Sequence, residues 1–216
     1  MSKIKFVMLD FDGTIADSFG SVIHCAEKMC QKEGFPFDKR IIERNMGCTT
    51  EQCVSLLTGE ADPEVIKRLT HSYNLIYRSI GLDMIKLFDG VLDTVKRLHA
   101  QGVKFAITSN NVVPAISYVV ERLGLMPYLD NIVGVECVEK GKPEPDIALE
   151  SMRRAGCVPE ESIAVGDSTF DMLMGKGAGC HCCGVSYGCD TPQTLKEEGA
   201  EWIIDSFAEL EKIILG

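Results

Sequence analysis

The strongest constraint in this chain is a rhythm. Short apolar runs alternate with amphipathic segments over most of its length. IKFVML (4–9), VKFAIT (103–108), NIVGVE (131–136), SIAVG (162–166), CHCCGVS (180–186) and EWII (201–204) have the length and apolar content of buried strands. Between them VLDTVKRLHA, PAISYVVERL, PDIALESMRRA and TPQTLKEEG read as helices, and Gly102, Gly124 and Gly156 stop the first three. Strands alternating with helices predict an α/β fold: a doubly wound, mainly parallel, Rossmann-like sheet covered on both faces.

Residues 16–86 break the rhythm. Phe19, Val22, Ile23, Ala26, Met29 and Cys30 repeat at helical spacing. Thr49 with Gln52 fits a capping box. Asp62-Pro63 fits an N-cap followed by proline at the first helical position. The helix it starts carries Val65, Leu69, Tyr73, Tyr77 and Ile80 on one stripe, and Gly81 is expected to stop it. The expected organisation is a core domain of residues 1–15 plus 87–216, with an all-helical domain of 16–86 inserted in it. The sheet is expected to resume at LFDGV (87–91). An insertion right after the first strand lies over the carboxyl ends of the strands, where open α/β sheets bind ligands. It reads as a lid that excludes water.

Four polar stretches follow predicted strands: DFDGT (10–14), TSNN (108–111), GKPEP (141–145) and GDSTFD (166–171). All four therefore fall on one edge of the sheet. Each alone is ambiguous. DFDG opens like a calcium loop, but an EF-hand needs its glycine sixth, and here it is fourth. GDSTFD alone is a turn and helix cap, and GKPEP alone a proline-set loop with a surface lysine.

Composition narrows the partners. The net charge is −10 and no block of Lys and Arg stands out. Nucleic acid and anionic membrane are therefore not expected as partners. No segment has the length of a membrane span. The N-terminus lacks a small-residue cleavage site, so a cytoplasmic protein is expected. Of ten cysteines, four crowd into GCHCCGVSYGCD (179–190). Zinc is one reading. The spacing lacks paired CxxC motifs, and neighbours on a strand point to opposite faces, so a buried strand with small apolar thiols is expected.

The four stretches, in this order, resemble the motifs of the haloacid dehalogenase-like hydrolase superfamily, and the insertion resembles its C1-type cap. LFDGV and GKPEPDIALE are most similar to the phosphoglycolate-phosphatase-like branch. The resemblance covers essentially the whole chain. It implies a phosphatase that uses Mg²⁺ and an aspartyl-phosphate intermediate to act on a small phosphorylated metabolite. Asp10 would be the nucleophile. Asp12 would protonate the leaving oxygen and later take a proton from water. Gly13 lets backbone pass close to the phosphate. Thr108 would donate its hydroxyl to the phosphate, with Ser109 and Asn110 adding backbone amides. Lys142 would bring positive charge. Asp10, the backbone carbonyl of Asp12, Asp167 and Asp171 would hold the magnesium, Asp171 directly or through water. The charge count agrees, because four converging carboxylates beside a phosphate need a cation.

The family contains other chemistries. Its dehalogenases lack an acid at the position of Asp12, so phosphoryl transfer is favoured. Its phosphonoacetaldehyde hydrolases use a cap lysine, and RNMGCTTEQC (44–53) has none. Its sugar-phosphate mutases, the β-phosphoglucomutase-like alternative, carry a cap histidine where this chain has Val22, with His24 off register. Pyrophosphatase and nucleotidase activities also remain alternatives. Substrate choice is expected from the cap loop of Arg44, Asn45, Gly47, Cys48, Thr49 and Thr50. Arg44 would meet a substrate carboxylate or second phosphate, or else face solvent. Phosphoglycolate is the favoured substrate.

Overall fold

A computed structural model describes residues 4–45 and 48–216. The Gly47 of the cap loop therefore lies outside the described residues. The strands are β1 (Phe6–Leu9), β2 (Ala16–Asp17), β3 (Lys86–Leu87), β4 (Lys104–Thr108), β5 (Asn131–Val133), β6 (Ser162–Gly166), β7 (His181–Val185) and β8 (Trp202–Ile204). Six of them form one all-parallel sheet in the order β5-β4-β1-β6-β7-β8. β1 is central, with Val7 level with Phe105 on one side and Ile163 on the other. The chain builds outward from β1 through β4 to β5, then returns to build β6, β7 and β8 on the other side. That reversal beside β1 opens a crevice at the carboxyl ends of β1, β4 and β6.

Alternation along the strands fills two separate cores. Val7, Leu9, Phe105, Ile107, Ile163 and Val165 share one apolar cluster. Phe6, Met8, Ala106 and Ala164 belong to another on the opposite face. Five helices lie between β2 and β3: α1 (Phe19–Glu33), α2 (Lys39–Glu43), α3 (Thr50–Thr58), α4 (Pro63–Ile76) and α5 (Leu82–Met84). α6 (Val91–Ala100), α7 (Val113–Arg122) and α11 (Leu210–Leu215) cover the first face; α8 (Asp146–Ala155) and α9 (Thr169–Gly177) cover the second, and α10 (Pro192–Glu198) packs beside α9. Gly102, Gly124 and Gly156 all take positive φ past helix ends, as expected. The Thr49–Gln52 capping box and the Asp62-Pro63 start are both present.

The cysteine-rich run forms β7, and its neighbours part as the pleat requires. Cys183 packs into the first core, whereas Cys182 packs against Met172 and Leu195. Burial pushes both thiols up to about 12.

Three local expectations need correction. LFDGV does not rejoin the main sheet. Lys86–Leu87 instead pairs antiparallel with Ala16–Asp17 in a separate two-stranded ribbon, and Gly90 at φ +81 then caps α6. This ribbon ties the two ends of the helical stretch together. NIVGVE stays strand only to Val133: Gly134 remains extended but leads into a 3₁₀ turn at Val135–Cys137, and it packs so close to the Asn111 carbonyl that a Cβ there would lie 2.6 Å from its oxygen. Gly81 does not end its helix. It has helical φ −67, and the chain passes through a π-helical turn (Tyr77–Gly81) directly into α5. Its role is packing: a Cβ there would lie 2.7 Å from both the Cys25 Sγ and the Tyr77 ring, and its carbonyl accepts a 2.7 Å hydrogen bond from Ser21 Oγ. The apolar stripe accordingly ends at Tyr77, and Ile80 is exposed.

Candidate active site

The four motif stretches converge. β1 ends at Asp10, which is buried despite its charge. Lys142 Nζ lies 2.6 Å from Asp10 Oδ1 and 2.5 Å from Asp171 Oδ1, with both partners buried. The lysine arrives on a loop with a cis Lys142–Pro143 bond. Asn110 pins that loop: its Oδ1 accepts from the Lys142 amide at 2.8 Å, and its Nδ2 donates to the Lys142 carbonyl at 3.2 Å. The Asn110 side chain is thus engaged with the lysine backbone.

Asp167 follows β6. Its Oδ1 accepts from Thr14 Oγ1 at 3.2 Å, and its Oδ2 from the Cys189 amide at 2.8 Å. Glycines crowd it on two sides. A Cβ at Gly13, where φ is +86, would lie 2.3 Å from Asp167 Oδ2, and one at Gly188 would lie 2.1 Å from Asp167 Cβ. Asp171 closes a capping box on α9, with Oδ2 accepting from the Ser168 amide and hydroxyl.

One carboxylate oxygen each from Asp10, Asp167 and Asp171 lies within 4.8 Å of the others. Burial, followed by the Asp171 charge, pushes Asp167 up to about 7. Burial also raises Asp10 well above the usual carboxylate range, with Lys142 only partly offsetting it. For Lys142, burial favours the neutral amine, but Asp10 and Asp171 outweigh it and hold the ammonium charged. Three acids against one ammonium leave an excess of negative charge and an all-oxygen donor set. Such a donor set could hold a hard divalent cation. The Asp12 carboxylate is outside this cluster, so its place in the expected metal set rests on its backbone carbonyl.

Asp12 lines the same cavity. Its Oδ2 accepts from Asn111 Nδ2 at 3.2 Å, and its Oδ1 is buried without a partner. Burial raises its pKa, with Ser18 and Asn111 opposing. Thr108 ends β4 with a buried hydroxyl that also lacks a partner. Ser109 lines the cavity, and its Oγ accepts from the Asn111 amide at 3.1 Å.

Two cap candidates lie away from the cavity lining, and for Arg44 the solvent-facing alternative is the one the structure shows. Arg44 is exposed at the C-cap of α2 and does not line the cavity. Thr49 spends its hydroxyl capping α3, accepting from the Gln52 amide, and Thr50 lines the cavity in its place. Residues that sequence reading passed over are Thr14, Asn111, Tyr77 and the 188–189 loop. Thr14 and Asn111 sit inside quoted motifs, so they were within reach. Tyr77 was hidden in an apolar stripe, and Gly188 becomes meaningful only when β7 brings it to Asp167.

The profile of the haloacid dehalogenase-like hydrolases matches residues 7–185. The chain belongs to this family. It is similar to the Dickeya dadantii (strain 3937) protein named "Probable phosphatase IndB", with 29% identity over 94% of this chain and 90% of that one. A phosphoglycolate phosphatase of Vibrio vulnificus (strain YJ016) is 25% identical over 99% of this chain and 97% of its own. The crystal structure of a Bacteroides fragilis protein described as a haloacid dehalogenase-like hydrolase superposes with a TM-score of 0.91 at 28% identity, covering 96% of this chain and all of that one. No described helix is long and apolar enough to cross a membrane.

Proposed function

We propose that this hydrolase is a Mg²⁺-dependent phosphatase that cleaves a small phosphomonoester through a phosphorylated Asp10. The observation that carries this reading is the buried Lys142 ammonium shared between Asp10 and Asp171, beside three gathered carboxylates. The Lys142 ammonium opposes the burial that disfavours the Asp10 carboxylate, and it draws the phosphoryl group toward Asp10. Asp10 attacks phosphorus, and the leaving alkoxide takes a proton from Asp12. Water then attacks the aspartyl phosphate and gives its proton back to Asp12. The unpartnered Oδ1 and raised pKa of Asp12 suit that exchange. Bound magnesium, held by Asp10, Asp167 and Asp171, would neutralise phosphate charge. The Thr108 hydroxyl gains in a phosphate oxygen the partner it lacks.

The mutase alternative is weakened by geometry. Val22 lines the cavity where such a mutase carries histidine, and His24 does not line it. The test is hydrolysis of p-nitrophenyl phosphate with Mg²⁺ by the native chain and by Asp10→Asn. The native chain should release free phosphate and incorporate label from a ³²P-labelled phosphate ester, and Asp10→Asn should do neither. Undiminished turnover by Asp10→Asn would remove Asp10 as nucleophile.

A further inference from the structure

The wall of the cavity opposite the aspartates carries a second message. Resting on the phosphatase reading above, we propose that the alcohol part of the substrate is uncharged and presents an apolar face, so that phosphorylated carboxylates are disfavoured. The cavity encloses about 90 Å³. Its charged groups all lie at the phosphate end: Asp10, Asp12, Lys142 and Asp171. Among the described residues, Lys142 is the only cation that lines it, and its ammonium is already engaged with two carboxylates. The helical wall offers Val22, Met29, Leu57 and Tyr73, with Asn45, Thr50 and Asn74 as neutral polar groups.

The approach is no kinder to an extra anion. The outer cavity that shares Asn45 and Cys48 with the inner one has a single lysine, Lys67, alongside Glu51 and Glu64. A carboxylate on the leaving group would lose its water against hydrocarbon and find no cation. It would also face the carboxylate of Asp12.

The wall instead suits an uncharged molecule. Tyr73 and Tyr77 stack with ring centroids 5.6 Å apart and planes 16° apart, and both line the cavity. Tyr77 belongs to the lining, and its buried hydroxyl lies beside Asn111 without a close hydrogen bond. A hydroxyl or amide on the leaving group would satisfy it.

The test compares two nearly isosteric esters, 2-phosphoglycolate and its amide, by kcat/KM with Mg²⁺, with phenyl phosphate as a reference. The amide should be preferred by at least roughly tenfold, since an unpaired buried charge costs more than the 1.4 kcal/mol that a factor of ten represents. Asn74→Lys places an ammonium on the wall and should move the ratio toward the acid by about tenfold. Equal or reversed preference in the native chain, or an unmoved ratio in folded Asn74→Lys, overturns the inference. Those results leave the phosphatase reading standing if phenyl phosphate is cleaved. Failure to hydrolyse all three esters overturns the phosphatase reading and this inference together.

Discussion

Thr108 shows how much one residue can say. Its hydroxyl is buried at the end of β4 with no partner within the protein, and a buried hydroxyl without one costs stability. Valine has nearly the same shape and no such need. Thr108→Val should leave stability unchanged or raise it by up to about 1 kcal/mol, while lowering kcat/KM roughly tenfold or more. Urea unfolding and steady-state kinetics check the two halves, and a variant that lost stability but kept activity would contradict the role. Asp12→Asn keeps the Asn111 contact available but cannot pass a proton. It should lower kcat about 10²- to 10⁴-fold, most with alkyl esters whose leaving groups need that proton. An equal loss for alkyl and p-nitrophenyl esters would argue against an acid role. The motif residues were legible as a set, because four stretches that are ambiguous alone all follow parallel strands and so meet at one edge of the sheet. The two cap residues were not. Arg44 and Thr49 have the right chemistry for a ligand, but helix phase and capping decide where they point.

At the scale of elements, the helical stretch behaves as sequence periodicity predicts, except where two helices touch. Gly81 looks like a helix stop in one dimension and is a contact point with α1 in three. Helix propensity alone would make Gly81→Ala stabilising by about 1 kcal/mol. The close approach of Cys25 and Tyr77 should instead make it destabilising by about 1–3 kcal/mol, readable in urea; a gain would show that the contact can yield. A second link joins α1 to α4. Glu33 accepts from Ser72 Oγ at 2.7 Å and pairs with Arg68, and these contacts hold its carboxyl below the usual range. Arg68 is largely exposed, so Glu33→Gln should cost only about 0.5–1 kcal/mol. A depressed carboxyl contributes above its unfolded pKa, and the contribution disappears as pH falls through its folded pKa. The difference between native and Glu33→Gln should therefore be full at neutral pH and vanish in acid. A gap that grew on acidification would contradict the pairing.

For the molecule as a whole, the proposed metal site would couple metal binding to folding. Asp10, Asp167 and Asp171 come from the ends of β1 and β6 and from α9, and the unfolded chain scatters them. Mg²⁺ that binds only the folded state should stabilise it by about 2.7 kcal/mol at a hundred times its dissociation constant. A melting temperature higher in Mg²⁺ than in chelator should result, and Asp167→Asn should erase most of the difference. An identical shift in Asp167→Asn would move the metal elsewhere.

The sequence by itself determined the class of fold and the edge of the sheet on which chemistry occurs. Apolar runs with helical spacers admit few other architectures, and a motif that follows a parallel strand must lie at its carboxyl end. Only the tertiary structure decided what the cavity wall is made of. That wall mixes α1, α2, α3 and α4 with the loops after β1 and β4. Which face each helix turns inward depends on packing between elements far apart in the chain. Tyr77 reads as core in its own helix and becomes a cavity residue only when the fold brings Asp12 and Asn111 near it.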